Sequence, residues 1–507
     1  MELNLIFLLC VTLITISLPV PVMCGKILIF VSPVWSHIKP MLNIAASLKD
    51  RYGHHSTFIL DGKNATEVRK FNTTNVIETR VSIHPNDLLK DACSKIILEQ
   101  IPPAQIIFND LCQSLLLDEE LFTVLRQMDF DLALVDNVVF ADCFLVLAYK
   151  LGIPYIQVGI VYMPIRTRIP FSPSVHSAIT YLGFVDYHMT FVERVANTLF
   201  SVVMAVSPHM FFQSDMVATY APEKPFLPLG VLHRRTAFHL YDLDFVLDFP
   251  KPFLPNMAFV GGLSTELPKP LSTELNSYMN SAVNGVIIAS FGSIAERLPF
   301  SRIETLIGVF KKFENMKFVL RYGNVTQVDE NVLLMPWLPQ NDLLTHPKTK
   351  VFITHCGNSG QYEALYNAVP MIGLPFLSDG FTNCRKMAFK GFGISYGFCS
   401  FTEDELSNAI NAILLDSHYR DNIRKASRIF HGQQGTPSER AAYWVDHVMQ
   451  YGGDYLESPT DDMPLYKFYL LDVLLFIILV SFLLVLCCLR LKKTFTMRCY
   501  SPMIKVQ

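Results

Sequence analysis

The run Tyr469–Leu489 constrains this chain more than any other stretch, because it carries a single charge, Asp472. Its length matches the ~20 residues that an α-helix needs to cross a bilayer, where each backbone polar group must be satisfied within the segment. A buried core helix is the alternative, and the flanks argue against it. Tyr466, Phe468 and Tyr469 suit one interface, and Arg490, Lys492, Lys493 and Arg498 follow the other end. Basic residues stay cytoplasmic, so the sequence predicts a single-pass type I chain with its bulk in a lumen or outside the cell. Leu3 to Val22 is also apolar and ends at Val22-Met23-Cys24, which resembles a secretory signal cleaved after Cys24, although Glu2 replaces the usual basic start.

These two ends account for a hydrophobic content of 51%, high for a soluble protein. A net charge of −3 argues against a nucleic-acid partner. The sequons at Asn64, Asn72 and Asn324 fit a lumenal position and predict glycosylation there. Between the apolar ends, Cys93, Cys112, Cys143, Cys356, Cys384 and Cys399 are scattered without a CxxC pair, so neither zinc nor dithiol redox chemistry is indicated. One or two disulfides are compatible with that pattern, and spacing does not assign them.

The interior alternates strand-like and helix-like segments. Lys26 to Val31 reads as a strand, and Pro40 opens a helix through Lys49 with Gly53 past its end. Ser56 to Leu60 reads as the next strand. A similar unit follows in Phe130 to Val135, Ala141 to Tyr149 and Pro154 to Val158. After the proline-rich passage Leu267 to Leu271, strands are expected at Val286–Ser290, Lys317–Arg321, Val351–Thr354 and Pro370–Gly373. Helices are expected at Arg302–Phe313, Glu403–Leu415 and Ser438–Gln450. Such alternation implies parallel sheets with sites at the carboxyl ends of the strands. Pro164 to Phe253 is aromatic-rich and fits no simple pattern.

The stretch "VFITHCGNSGQYEAL" from Val351 hands a strand over to a helix through His355, Gly357, Ser359 and Gly360. The first N–H groups of a helix lack intrahelical partners and carry partial positive charge, and glycine lets a ligand approach the backbone. The turn is therefore suited to a phosphate. An ordinary strand–helix connection capped by Asn358 or Ser359 is the bland reading. Other fittings surround it. Trp337 offers a flat face to a base and Gln340 an amide to its edge. Glu363 can accept from ribose hydroxyls. The turn after Val286–Ser290, which contains Ser293, presents further N–H groups, and Asp379 places a carboxylate suited to a polyol.

Trp337, Pro339-Gln340, Asp342-Leu343-Leu344, His346-Pro347, Phe352 to His355, Gly357, Gly360, Tyr362-Glu363-Ala364, Pro370, Gly373, Pro375 and Asp379 resemble the donor-binding signature of UDP-glycosyltransferases. The likeness is closest to the membrane-bound UDP-glucuronosyltransferases and extends to Phe259–Leu263 and Arg440–Trp444. It implies an α/β fold of GT-B type, with two Rossmann-like domains facing a cleft and a C-terminal transmembrane helix. The expected organisation is a signal peptide over 1–24, an acceptor-binding domain over 25–266, a UDP-sugar-binding domain over 267–450, a tether over 451–468, a span over 469–489 and a cytoplasmic tail over 490–507.

The resemblance further implies inverting transfer of a sugar, glucuronate or glucose, from a UDP-sugar to a hydroxyl of a small lipophilic acceptor. No metal or other cofactor is expected. Trp337 and Gln340 would hold uracil, Glu363 ribose, His355 and Ser293 the diphosphate with Arg321, Gly357, Ser359 and Gly360 around it, and Asp379 the sugar. His37 in "SPVWSHIKPM" would be the base and Asp136 its partner. A helix N-terminus disfavours the imidazolium, and a carboxylate fixes the tautomer and stabilises the cation as it forms. The family implies an endoplasmic-reticulum membrane, a detoxifying role and homo- or hetero-oligomers.

Two residues depart from the family pattern. Cys356 stands where glycine is usual, and Gly380 follows Asp379 where glutamine is usual. The second leaves donor identity open and admits an alternative: a weakly active or inactive homologue that binds UDP and an apolar ligand as a partner subunit. Asp242-x-Asp244 and Asp129-x-Asp131 fit the pattern of metal-dependent glycosyltransferases, but neither lies near the donor fittings in sequence.

Overall fold

The computed structural model describes residues 24–79, 93, 101–138, 142–170, 172–178, 184–206, 215–292, 298–323, 326–376, 379–460 and 463–499. The expected signal, apart from Cys24, and the end of the tail lie outside these. The chain forms two units, one ending at Leu456 and the other beginning at Glu457.

The larger unit holds two seven-stranded sheets. The first comprises β1 (Lys26–Phe30), β2 (His55–Asp61), β3 (Asn75–Thr79), β4 (Leu132–Asp136), β5 (Tyr155–Gly159), β6 (Phe238–Tyr241) and β7 (Met257–Phe259). They run parallel in the order β3-β2-β1-β4-β5-β6-β7. The second comprises β8 (Val286–Ser290), β9 (Lys317–Arg321), β10 (Thr326–Asp329), β11 (Val332–Met335), β12 (Thr349–Thr354), β13 (Met371–Gly373) and β14 (Gly393–Ser395). Its order is β10-β11-β9-β8-β12-β13-β14, and only β10 is antiparallel to its neighbour. The central strands are buried along their length, as expected of parallel strands with helices on both faces. Strand order reverses between β1 and β4 in the first sheet and between β8 and β12 in the second. At such switch points, crevices open beyond the strands' carboxyl ends.

Several elements differ from the sequence reading. The first helix runs Trp35–Tyr52 and contains Pro40 instead of starting there. Proline costs that helix one hydrogen bond, to the carbonyl of Ser36, which lies on an exposed residue. His37 thus sits on the first helical turn and not in a loop before it. Pro164 to Phe253 supplies the Phe191–Val206 helix, two short helices and β6. The Pro437–Tyr451 helix, assigned by sequence to the second domain, packs on the first. Its Ala441, Ala442, Val445 and Val448 join the core beneath β1, β2 and β6, and Trp444 stacks on Phe238 at 4.5 Å. A capping box of Thr436 and Glu439, with Pro437 in the first turn, fixes where it begins.

Disulfides join Cys93 to Cys399, Cys112 to Cys143 and Cys356 to Cys384. In the second unit a continuous helix, Leu471–Cys499, includes Leu471–Phe495, whose most apolar 18-residue window has mean hydropathy 3.0, long and apolar enough to cross a membrane.

Candidate active site

The two switch points face one another across a cleft of about 580 Å³. On the first side, His37 Nδ1 lies 3.0 Å from Oδ2 of Asp136, the last residue of β4. The backbone N–H of Ser32 donates to the same carboxylate at 3.0 Å. Asp136 is almost fully buried, while His37 keeps about a quarter of its side chain exposed. Burial disfavours the imidazolium, but the charge and hydrogen bond of Asp136, with help from Asp379 and Asp242, more than offset it and raise the His37 pKa above the usual 6.5. This corrects the expectation that the helix N-terminus holds the ring neutral: nearby carboxylates outweigh it.

Asp242, just past β6, is a member that sequence reasoning missed. It lines the cleft, accepts the N–H groups of Gly262 and Leu263 at 2.7 and 3.0 Å, and receives the Asn358 amide at 3.1 Å. Burial pushes its carboxyl up to about 6 against these hydrogen bonds. An aspartate at a strand end was the available signal, but its spacing to Asp244 drew it into a metal pattern. Asp244 accepts from the Val246 N–H and the Gln433 amide, so both carboxylates are engaged by protein donors. Asp131 likewise accepts the Lys26 N–H at 2.8 Å.

On the second side, the β12 turn places His355 against the end of β8. Burial, reinforced by the Arg321 cation, lowers its pKa to about 4. His355 is therefore neutral at physiological pH, with a ring N–H directed at the Ser290 backbone, and it presents no full charge to an anion. Its buried Nδ1 has no hydrogen-bond partner. Gly357 caps the Asn358–Tyr366 helix with extended backbone, which replaces the expected Asn358 or Ser359 cap. Ser359 Oγ instead accepts from Ser264 Oγ at 2.8 Å. At Gly360 a Cβ would come within 3.4 Å of Gln340 Nε2.

The Arg321 guanidinium lies 4.4 Å from the centroid of the Trp337 indole and donates through Nε to the Pro336 carbonyl at 3.1 Å. It also donates to the Gly292 carbonyl. Trp337 remains half exposed, with surface left for a stacking ring. Gln340 Nε2 donates to Glu363 Oε2 at 2.6 Å, and Lys39 Nζ, from the first domain, lies 3.4 Å from Oε1. Burial raises the Glu363 pKa, opposed by Lys39 and Gln340. Lys39 is a second residue that sequence reasoning did not single out.

Asp379 caps the Gly380–Phe389 helix and accepts from the Asn383 amide at 2.6 Å. Burial raises its pKa despite that bond. His37, Asp136, Arg321, Trp337, Gln340, His355, Gly357, Ser359, Gly360, Glu363 and Asp379 all line the same cleft. Ser293 and Asn324 lie outside the described residues. Of the other sequons, Asn72 is exposed in a left-handed turn, whereas Asn64 is within a helix and donates to the Pro33 carbonyl at 3.1 Å.

A sequence model of the family described as UDP-glucoronosyl and UDP-glucosyl transferase matches residues 46–505. The human UDP-glucuronosyltransferase 1A9 is 32% identical over 395 residues, 75% of this chain and 73% of that protein. The rat UDP-glucuronosyltransferase 1A5 is 32% identical over 72% of this chain and 70% of its own length. Among solved structures, the glycotransferase of kitacinnamycin superposes with a TM-score of 0.61 at 20% identity, covering 84% of this chain and 99% of its own. UDP-glucose: anthocyanidin 3-O-glucosyltransferase in complex with UDP gives 0.58 at 18%, covering 84% and 99%. These likenesses bear out the GT-B fold.

Proposed function

The chain belongs to the UDP-glucuronosyl and UDP-glucosyl transferase family, and on that premise we propose that this UDP-glycosyltransferase moves glucuronate or glucose to a hydroxyl of a small lipophilic acceptor with inversion. The observation that carries this reading is the His37–Asp136 pair facing the donor fittings across one cleft. With Nδ1 bonded to Asp136, Nε2 of His37 is the nitrogen that takes the acceptor proton. The acceptor oxygen then forms a bond to the anomeric carbon as the bond from that carbon to the diphosphate oxygen breaks, and UDP leaves with the electron pair. Asp136 stabilises the imidazolium. The N–H groups of the β12 turn receive the developing charge on UDP.

Trp337 would stack on uracil, Gln340 and Glu363 would meet base and ribose, and Asp379 the sugar hydroxyls. Trp35, Phe71, Phe108 and Val138 give the first side of the cleft an apolar wall suited to a lipophilic acceptor. We infer no metal requirement, since Asp242 and Asp244 are committed to protein donors; retained activity in excess EDTA tests this. The reaction itself is tested by UDP release from microsomes holding the full chain, with UDP-glucuronate, UDP-glucose, UDP-N-acetylglucosamine and UDP-galactose against a panel of phenols. Turnover with none of the four would favour the binding-protein alternative, which Gly380 keeps in view.

A further inference from the structure

The two residues that depart from the family pattern, Cys356 and Gly380, meet in the fold. Cys356 follows His355 in the phosphate turn and holds φ at 62°, a left-handed conformation that costs an L side chain what it does not cost glycine. Two contacts hold it there. Its sulfur is bonded to Cys384 on the Gly380–Phe389 helix, and its carbonyl accepts the Asn383 amide at 3.1 Å. Gly373 makes room for the bridge, because a Cβ there would lie 2.4 Å from Cys384 Sγ and 2.7 Å from Cys356 Sγ. The start of the same helix is pressed against the turn: a Cβ on Gly380 would lie 2.6 Å from the His355 carbonyl oxygen. That neighbour is backbone and cannot swing aside as a side-chain tip can.

We propose that Cys356, Cys384 and Gly380 form one positioning unit for the sugar donor, an inference that rests on the donor-site reading above. The disulfide holds the phosphate turn in the left-handed form that glycine would adopt unaided, and it clamps the Asp379 helix to that turn. Glycine at 380 is the steric consequence of the clamp. The two departures are one feature, and a glutamine at 380 destabilises this chain while the bridge is intact.

The test is a cycle of full-length variants in detergent, read by UDP affinity and by melting temperature. Cys384→Ser leaves Cys356 held only by the Asn383 amide, so UDP binding must help to re-impose its conformation, and affinity should fall about five- to thirty-fold. Cys356→Gly/Cys384→Ala needs no tether and should recover most of that loss, a rescue that a merely structural bridge would not give. Gly380→Gln should lower the melting temperature clearly in the disulfide-bonded chain and by less than half as much in the glycine double variant. Unchanged UDP affinity in Cys384→Ser, or an equal cost of Gly380→Gln in both backgrounds, overturns the proposal. Absence of UDP binding by the wild type would overturn the donor-site reading instead, and the melting cycle still judges the steric coupling.

Discussion

His37 on the first turn of a helix and Asp136 at the end of β4 meet at 3.0 Å where the strand order of the first sheet reverses. Nothing in the chain between them makes this contact local, since they are 99 residues apart. The parallel pairing of β1 with β4 brings them together, with Phe30 beside Val135, and Ser32 anchors the carboxylate from the β1 side. The pair is therefore a product of topology, and it governs the first two expected outcomes.

His37→Ala should lower turnover by about 10²–10⁴-fold, the usual contribution of a positioned general base. UDP affinity should change little, because Trp337, Gln340 and Glu363 belong to the other domain. Single-turnover kinetics with calorimetric UDP binding separates the two, and near-normal turnover would remove His37 from the role of base.

The pH profile follows from the raised His37 pKa. The base must be neutral to act, so kcat/KM should fall as pH drops through a value above 6.5, the group's ordinary value. Asp136→Asn removes the carboxylate charge that favours the imidazolium. Its acid limb should therefore lie at lower pH than that of the wild type, along with a lower plateau. A limb at the same pH in both proteins would show that another group sets it.

Trp337→Ala should weaken UDP binding by about 1–3 kcal/mol, the range for a lost base–aromatic stack. Arg321 already occupies the neighbourhood of the indole at 4.4 Å and keeps it oriented. The loss should be equal for every UDP-sugar, since uracil is common to all. A loss confined to one sugar would place Trp337 elsewhere.

The second side of the cleft is legible in sequence because its residues are local. Gln340 and Glu363 flank a single strand, and β8, β9 and the Glu403–Leu415 helix fall where periodicity puts them. What remained hidden depends on contacts between distant segments. Lys39 matters through Glu363 in the other domain, Asp242 through Asn358, and the Pro437–Tyr451 helix through a core it crosses back to join. In sequence, Gly380 is a departure from the usual glutamine that leaves donor identity open. The 2.6 Å approach of its Cβ position to the His355 carbonyl gives the departure a steric reason, and no local pattern signals such a contact. The disulfide pairings were open for the same reason.

Lys386→Met should destabilise the larger unit strongly. Lys386 Nζ lies 2.7 Å from Asp248 and 3.8 Å from Asp186, and Lys251 meets the same two carboxylates at 3.2 and 2.5 Å. All four side chains are buried or nearly so. The cluster ties the helix behind Asp379 to the first domain. Removing one cation leaves two buried carboxylates with a single lysine, a change that costs about 3–5 kcal/mol for buried pairs of this kind. Denaturant unfolding of the wild type and the variant measures it, and a cost under about 1 kcal/mol would mean that water already screens the cluster.

The orientation of the chain is the last expected outcome. The Leu471–Phe495 segment has the length and hydropathy of a span, and basic residues cluster at and just beyond its C-terminal end, at Arg490, Lys492, Lys493 and Arg498. Positive charge is retained in the cytoplasm, so the preceding residues are expected in the lumen. Protease added to sealed microsomes should then remove only the segment beyond the span, and the cleft residues from His37 to Asp379 should stay protected until detergent opens the vesicles. Exposed Asn72 should carry glycan, visible as a mobility shift lost on enzymatic deglycosylation. Asn64 should carry less, because its amide is engaged by Pro33 within a helix. Digestion of the cleft domains in intact vesicles would place them in the cytoplasm and reverse the orientation drawn from those four basic residues.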